Sequence, residues 1–349
     1  MNNLNSHQGQ TCVVTGGASF IGSTLVDHLA SICKRVVVID DFSSGRRENL
    51  ARHEDSDVVE VIVGDLADRE FALKSIEACD VIFHLAAVHG GRGFIERYPA
   101  AMLTNFAIDF NVLQASLQAK VPRLVHTSSA CAYPIGLQSS EEGRGLLEET
   151  QAGFDSATQS FPDGTYGWIK LMGEYQFKVA AEAGQITCRS ARVFTAYGER
   201  ENESHAAIAL IAKALLRIDP YPIWGSGLQT RNFTHVEDTV SGLLLLGADR
   251  RENRYDVFNV GSSTHHTVLE FVETVFDLIG WRPSEIDRQM DLPTGVANRA
   301  SDNTKILDTF NWEPRIDLRE GVARTIQWYE TLPTRVNSVD ELEQRLLSR

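Results

Sequence analysis

The sequence predicts an α/β protein: a doubly wound parallel sheet joined to a smaller, mostly C-terminal α/β unit. Three observations lead there. Short, continuous β-branched runs recur along the first two-thirds of the chain, helical patterns lie between them, and a glycine-rich turn links the first run to the first helix. Apolar runs of that kind are the mark of parallel strands buried on both faces, and their alternation with helices marks a doubly wound sheet.

In order, Cys12–Thr15 reads as a strand and Phe20–Ala30 as a helix. Arg35–Asp40, Val58–Val63, Val81–Leu85 and Arg123–Thr127 read as further strands, with helices around Phe71–Ala78 and Asn105–Ala119. From Leu137 to Asp163 periodicity is lost, which predicts a long mobile loop on the rim of a site, its Glu-rich part (141–149) a solvated face. A helix from Tyr166 to Ala183, a strand Thr187–Val193, a helix around Ala206–Arg217 and a last sheet strand at Phe258–Val260 follow. Ser338–Glu341 has the capping-box spacing of a short C-terminal helix. The expected division gives 1–193 and 234–262 to a cofactor-binding sheet domain. Residues 194–233 and 263–335 go to a substrate domain, and 336–349 to a helical tail.

Composition narrows the function. The chain has 349 residues, 43% of them hydrophobic, enough for a sizeable core. With 33 basic and 47 acidic residues its formal charge is −14, which opposes binding to nucleic acid or anionic membranes. An anionic substrate therefore needs a few focused arginines. Five cysteines without a CxxC pair fit a reducing compartment, and no run approaches the roughly 18 apolar residues of a spanning helix. A soluble, cytoplasmic protein is expected.

Thr15-Gly16-Gly17-Ala18-Ser19-Phe20-Ile21-Gly22 follows a strand and opens a helix. Such glycines allow a tight turn and bring backbone N–H groups to a pyrophosphate at the positive helix end. Gly16, Ser19, Phe20, Ile21 and Gly22 are thus the cofactor cradle, with Ser19 standing where many such loops have glycine. Asp40 ends the next strand, where a carboxylate can accept both ribose hydroxyls. An acid there repels a 2′-phosphate, so NAD is expected over NADP, although Arg46 and Arg47 lie nearby. Tyr166 and Lys170 stand four apart on one helix face. A Lys cation and a positive nicotinamide favour the phenolate, so that Tyr166 can take a hydroxyl proton while hydride leaves the same carbon. His265-His266 with Glu270 is not read as a metal site.

These segments resemble the extended short-chain dehydrogenase/reductase family over nearly the whole chain. The likeness lies in the glycine loop, Asp40 with its following FSSG, Gly64-Asp65-Leu66, His84-Leu85-Ala86-Ala87, the strand end at Ser129, and Tyr166 to Lys170. Downstream it lies in Trp224–Gly227, Gln229–Phe233 and Arg299–Asp302. The resemblance implies that Asp65 and Leu66 flank the adenine, that Leu85, Ala86 and Ala87 line the cofactor, and that Ser129 completes a Ser–Tyr–Lys set. It makes Arg231 and Arg299 the clamp for a nucleotide-sugar diphosphate. It also implies a homodimer formed through two helices of the sheet domain.

His84–Ile95, Ser128–Pro134 and Gly227–Phe233 are similar to the GDP-mannose 3,5-epimerase branch. That likeness implies an epimerase acting by transient C4 oxidation, deprotonation and reprotonation at C3 and C5, and re-reduction. Cys131 would then exchange ring protons. His205 falls where that branch has a lysine acid, and Thr195 and Arg92 replace an asparagine and a methionine of the sugar pocket, near Gly91. A nucleotide-sugar 4-epimerase, a 4,6-dehydratase, and a catalytically silent NAD-binding regulator remain alternatives.

Overall fold

A computed structural model describes residues 4–139, 145–154 and 161–346. Seven strands form one parallel sheet: β1 (Thr11–Thr15), β2 (Arg35–Asp40), β3 (Val59–Val63), β4 (Val81–His84), β5 (Arg123–Ser129), β6 (Thr187–Val193) and β7 (Tyr255–Val260). Their order is β3-β2-β1-β4-β5-β6-β7, so the chain reverses direction across the sheet between β1 and β4. Cys12 pairs with Val36 on one side and with Val81 on the other.

Successive side chains on each strand enter opposite cores. Val14, Val36, Val38 and Phe83 pack with Leu25 and Leu243 of the helices Phe20–Ala30 and Val236–Ala248. Val13, Val37 and Ile82 pack with Ile108, Val112 and Phe177 of the helices Thr104–Gln118 and Gly164–Glu182. Helices on both faces explain why the strands read as apolar runs, the doubly wound arrangement expected. A third core, with Tyr197, Ile208, Ile211, Tyr221, Phe233, Phe271, Phe276 and Tyr329, joins the helices Ala206–Leu215, Val268–Ile279 and Leu318–Thr331. This smaller unit carries a parallel strand pair, Tyr221–Trp224 with Ile286–Gln289. Among the described residues no helix is long and apolar enough to cross a membrane.

The structure corrects the reading of 137–163. Residues 140–144 and 155–160, and with them Glu141 and Glu142, lie outside the described residues. The remainder is tied down. Leu147 N–H donates to Ala300 O and Asp302 N–H to Leu147 O. Glu149 is buried and its Oε1 accepts from Asn259 N–H at 2.8 Å, so it is no part of a solvated face. Gln138 and Asp163 are buried in the site itself. Glu270 caps the Val268–Ile279 helix, its carboxylate accepting from Thr267 N–H while Thr267 Oγ1 accepts in return.

Candidate functional site

A cavity of about 470 Å³ opens at the C-terminal ends of the strands, between the sheet and the smaller unit. Ligands of open α/β sheets bind there, beside the point where strand order reverses. At the head of the Phe20–Ala30 helix a Cβ on Gly22 would lie 2.1 Å from Gly16 O. Only glycine lets the helix start against the turn with its N–H groups turned to the cavity. Ser19, Phe20 and Ile21 line that wall, with Leu85 and Ala87 across from them. Asp40 stands at the end of β2, its carboxylate accepting from Ala18 N–H (2.9 Å) and Phe42 N–H (2.8 Å). Asp40, Asp65, Leu66 and Ala86 stand outside the cavity wall, Leu66 buried in the core with Val13 and Val37. Arg47 stacks on Phe42, 4.5 Å from the ring centre, and Arg46 lines the cavity. Glycine turn, free helix end and strand-end acid together fit a dinucleotide cradle.

Tyr166 and Lys170 reach the cavity from one helix. Lys170 Nζ lies 5.7 Å from the centre of the Tyr166 ring and donates to Thr127 O at 2.8 Å. Burial lowers the lysine's pKa against the pull of Asp109 and Glu174. Burial also pushes the Tyr166 phenol well above its ordinary value, and Cys131 and Asp109 act in the same direction. The Tyr–Lys pair alone therefore does not make a base of Tyr166. Further positive charge beside Oη is needed, as a nicotinamide ring would bring. Behind the pair lies Asp109. Its carboxylate meets His84 Nε2 at 3.1 Å, and the other nitrogen of that ring is 2.7 Å from Thr15 Oγ1.

Ser129 ends β5, and its Oγ accepts from Cys131 N–H at 3.1 Å. Cys131 O accepts from Asp163 N–H, and a Cβ on Gly167 would sit 2.2 Å from that oxygen. The glycine after Tyr166 is what lets the cysteine turn dock on the tyrosine helix. Arg299 binds three groups: Nη1 donates to Cys131 Sγ (3.4 Å), Nε to Gln138 Oε1 (2.7 Å) and Nη2 to Asp163 Oδ2 (2.9 Å). Arg92 Nη1 donates to the other Asp163 oxygen at 2.9 Å. Burial opposes the Asp163 charge, but Arg299 and Arg92 hold its carboxyl below the usual range. Arg231 donates to Thr230 O and Thr294 O, each at 2.7 Å. Burial, with Arg299 and Arg92 nearby, brings its pKa down to about 9. Three guanidiniums share two carboxylates here, Asp163 and the Glu96 that Arg92 Nε meets at 2.6 Å, an excess of positive charge in an acidic chain, suited to an anion.

The expected residues Gly91, Arg92, Thr195, His205, Arg231 and Arg299 all line this cavity, as do Ser129 and Cys131. Sequence reading missed Asp163, His89, Glu201 and Lys213. Lys213 lines the cavity, donates to Pro222 O at 2.9 Å, and is brought by burial to about 8. His89 and Asp163 lie inside or beside quoted motifs, which is the one signal that could have found them. Glu201 and Lys213 carry no local signal.

The comparisons agree with this geometry. Residues 12–261 match the NAD dependent epimerase/dehydratase family. The GDP-mannose 3,5-epimerase 1 of Oryza sativa subsp. indica is 31% identical over 326 residues, covering 90% of this chain and 80% of that protein. The UDP-glucose 4-epimerase of Mycolicibacterium smegmatis is 28% identical, over 91% of this chain and 97% of that one. Among solved structures, the Thermotoga maritima UDP-glucose 4-epimerase with UDP-glucose superposes with a TM-score of 0.79 at 25% identity, over 92% and 98% of the two chains. The fold and site define an NAD-dependent enzyme. The chain belongs to the NAD-dependent nucleotide-sugar epimerase/dehydratase family.

Gly22→Ala should therefore yield protein without copurifying NAD, less stable by about 1–3 kcal/mol, since a methyl cannot share the space of Gly16 O. Ultraviolet spectra and urea denaturation measure the two effects. Normal NAD content in that variant would show that the turn is not the cradle.

Proposed function

We propose that this enzyme is a nucleotide-sugar epimerase of the GDP-mannose 3,5-epimerase kind, acting through Tyr166, Lys170, Ser129, Cys131 and His205. The observation that carries the reading is the Cys131 sulfur, held by Arg299 at 3.4 Å in the same cavity as Tyr166 and Lys170. A redox pair alone serves any member of the family. A thiol beside it suits removal of a proton made acidic by a neighbouring ketone.

Bound NAD supplies reversible hydride acceptance at C4 of the sugar. Tyr166 Oη takes the C4 hydroxyl proton, with Lys170 adding positive charge beside the ring. Cys131 Sγ, beside the Arg299 guanidinium, takes the proton at C3 or C5, and His205 delivers one to the opposite face. Arg231 and Arg299 hold the diphosphate. Asp163 bridges Arg92 and Arg299 and keeps both aligned until substrate arrives.

The test is incubation with GDP-mannose, UDP-glucose and UDP-glucuronate in deuterated water, with the label located by NMR. Deuterium at C3 and C5 with inversion there is the expected result. Inversion at C4 alone, without carbon-bound deuterium, would make the enzyme a 4-epimerase. Loss of water from the product would make it a dehydratase.

A homodimer completes the proposal. Leu103, Phe106 and Phe110 on one helix face, and Trp168, Tyr175 and Val179 on another, are exposed at helical spacing. The two helices run side by side, so one patch can pair with its own copy across a two-fold axis. Phe110→Glu with Val179→Glu should halve the mass measured by light scattering. An unchanged mass would place the interface elsewhere.

A further inference from the structure

His205 does not stand alone in the cavity wall. Its Nδ1 lies 3.0 Å from Glu201 Oε1, and Glu201 is buried, with Oε2 lacking a hydrogen-bond partner among the described residues. On the other side the His205 ring meets His89 edge-to-face at 5.3 Å, and His89 in turn lies 4.9 Å from the Tyr166 ring. Both histidines line the cavity. Four residues thus run in file from a buried carboxylate to the phenol: Glu201, His205, His89, Tyr166.

We propose that Glu201, His205 and His89 form a proton relay that empties Tyr166 Oη and supplies the ring carbon of the sugar. This rests on the proton-exchange reading above. Glu201 accepts from His205 Nδ1–H and so fixes the tautomer, which leaves Nε2 as the exchanging atom, the arrangement by which a carboxylate aims an imidazole. The Tyr166 proton passes to His89 and on to His205 Nε2, leaving the phenolate that accepts the C4 hydroxyl proton. Cys131 takes the ring proton, and His205 Nε2 gives its own to the opposite face. When C4 is reduced again, Oη returns its proton to the sugar oxygen. Each inversion thereby moves one proton from Tyr166 to Cys131, by way of the histidine pair and the sugar ring. Exchange with water restores both groups, through His205, whose side chain is 23% exposed. The buried Tyr166 reaches solvent along a defined path in place of a chance opening.

The test uses NAD-loaded, full-length enzyme and His89→Gln, with the same three nucleotide sugars in deuterated water. Two quantities are read: the absorbance of bound NADH, which reports C4 oxidation, and carbon-bound deuterium. His89→Gln breaks the path that empties Tyr166 Oη and should lower NADH formation about tenfold or more at neutral pH. The loss should shrink as pH rises, with deuterium per NADH near wild type, because His205 still refills from water. A loss of NADH formation that is the same at every pH would make His89 a mere support for the Tyr166 ring, and wild-type NADH formation would remove it altogether; either overturns the relay. If wild-type enzyme forms NADH with none of the sugars, the nucleotide-sugar reading itself fails. The relay is then decided by ring-nitrogen NMR of the NAD-loaded protein without sugar. A His205 Nδ1–H tautomer is expected, with an exchange-averaged Nε2 that becomes fixed in His89→Gln. A fixed Nε2 in the wild type overturns the relay whatever the sugar assay shows.

Discussion

Cys131→Ser should leave an enzyme that still oxidises the sugar at C4 but no longer exchanges its ring protons with solvent. The hydroxyl is close in size to the thiol, and its oxygen can take the Arg299 N–H that Sγ accepts at 3.4 Å. Arg299 also keeps Gln138 and Asp163, so the wall of the cavity should hold its shape. What changes is basicity. A serine hydroxyl is in general a far weaker acid than a thiol, so its conjugate base is not at hand to take a carbon-bound proton. Losing a general base of this kind costs about 10²- to 10⁴-fold. Deuterium at C3 and C5 should fall by that factor, while NADH formed in a single turnover stays within a few-fold of wild type. Full exchange in the serine variant would take Cys131 out of the mechanism and return it to the packing around Tyr166 and Met102.

The parts of this enzyme that could be read in the sequence are those whose signal is contiguous. The Phe20–Ala30 helix and the strands Arg35–Asp40 and Thr187–Val193 have the expected ends, and for Arg35–Asp40 the reason is that the apolar run Val36–Ile39 stops where the strand stops. β5 runs two residues further than its apolar run, to Ser129, because its ladder with β6 continues through Ser128 and Ser129. The stretch 137–163 misleads for a physical reason. The order of its described residues comes from partners far along the chain, Glu149 on Asn259 and Asp163 on Arg92 and Arg299, and no local period records such contacts. The cavity follows the same rule. The glycine loop and the Tyr–Lys pair show themselves within a few residues. The meeting of His89 with His205 joins a loop after β4 to the head of a helix in the smaller unit, and only folding brings them to 5.3 Å.

Tyr166→Phe should be the most damaging single change to turnover and one of the gentlest to structure. The ring stays, with its packing against Met102 and Ile169 and its contact with His89 at 4.9 Å. Only Oη is lost, the group proposed to take the C4 hydroxyl proton. NADH formation with every nucleotide sugar should fall about 10²- to 10⁴-fold, while copurifying NAD and the urea midpoint stay near wild type. Lys170→Ala gives the contrasting result. It removes one of the positive charges that offset the burial of Asp109 and leaves that carboxylate to His84 and His126, so stability should drop by about 1–3 kcal/mol along with activity. Urea denaturation of the two variants separates the roles. If Tyr166→Phe turned over sugar at the wild-type rate, proton transfer at C4 would have to pass through another group. The phenol that burial holds so far from ionisation would then be packing and nothing more.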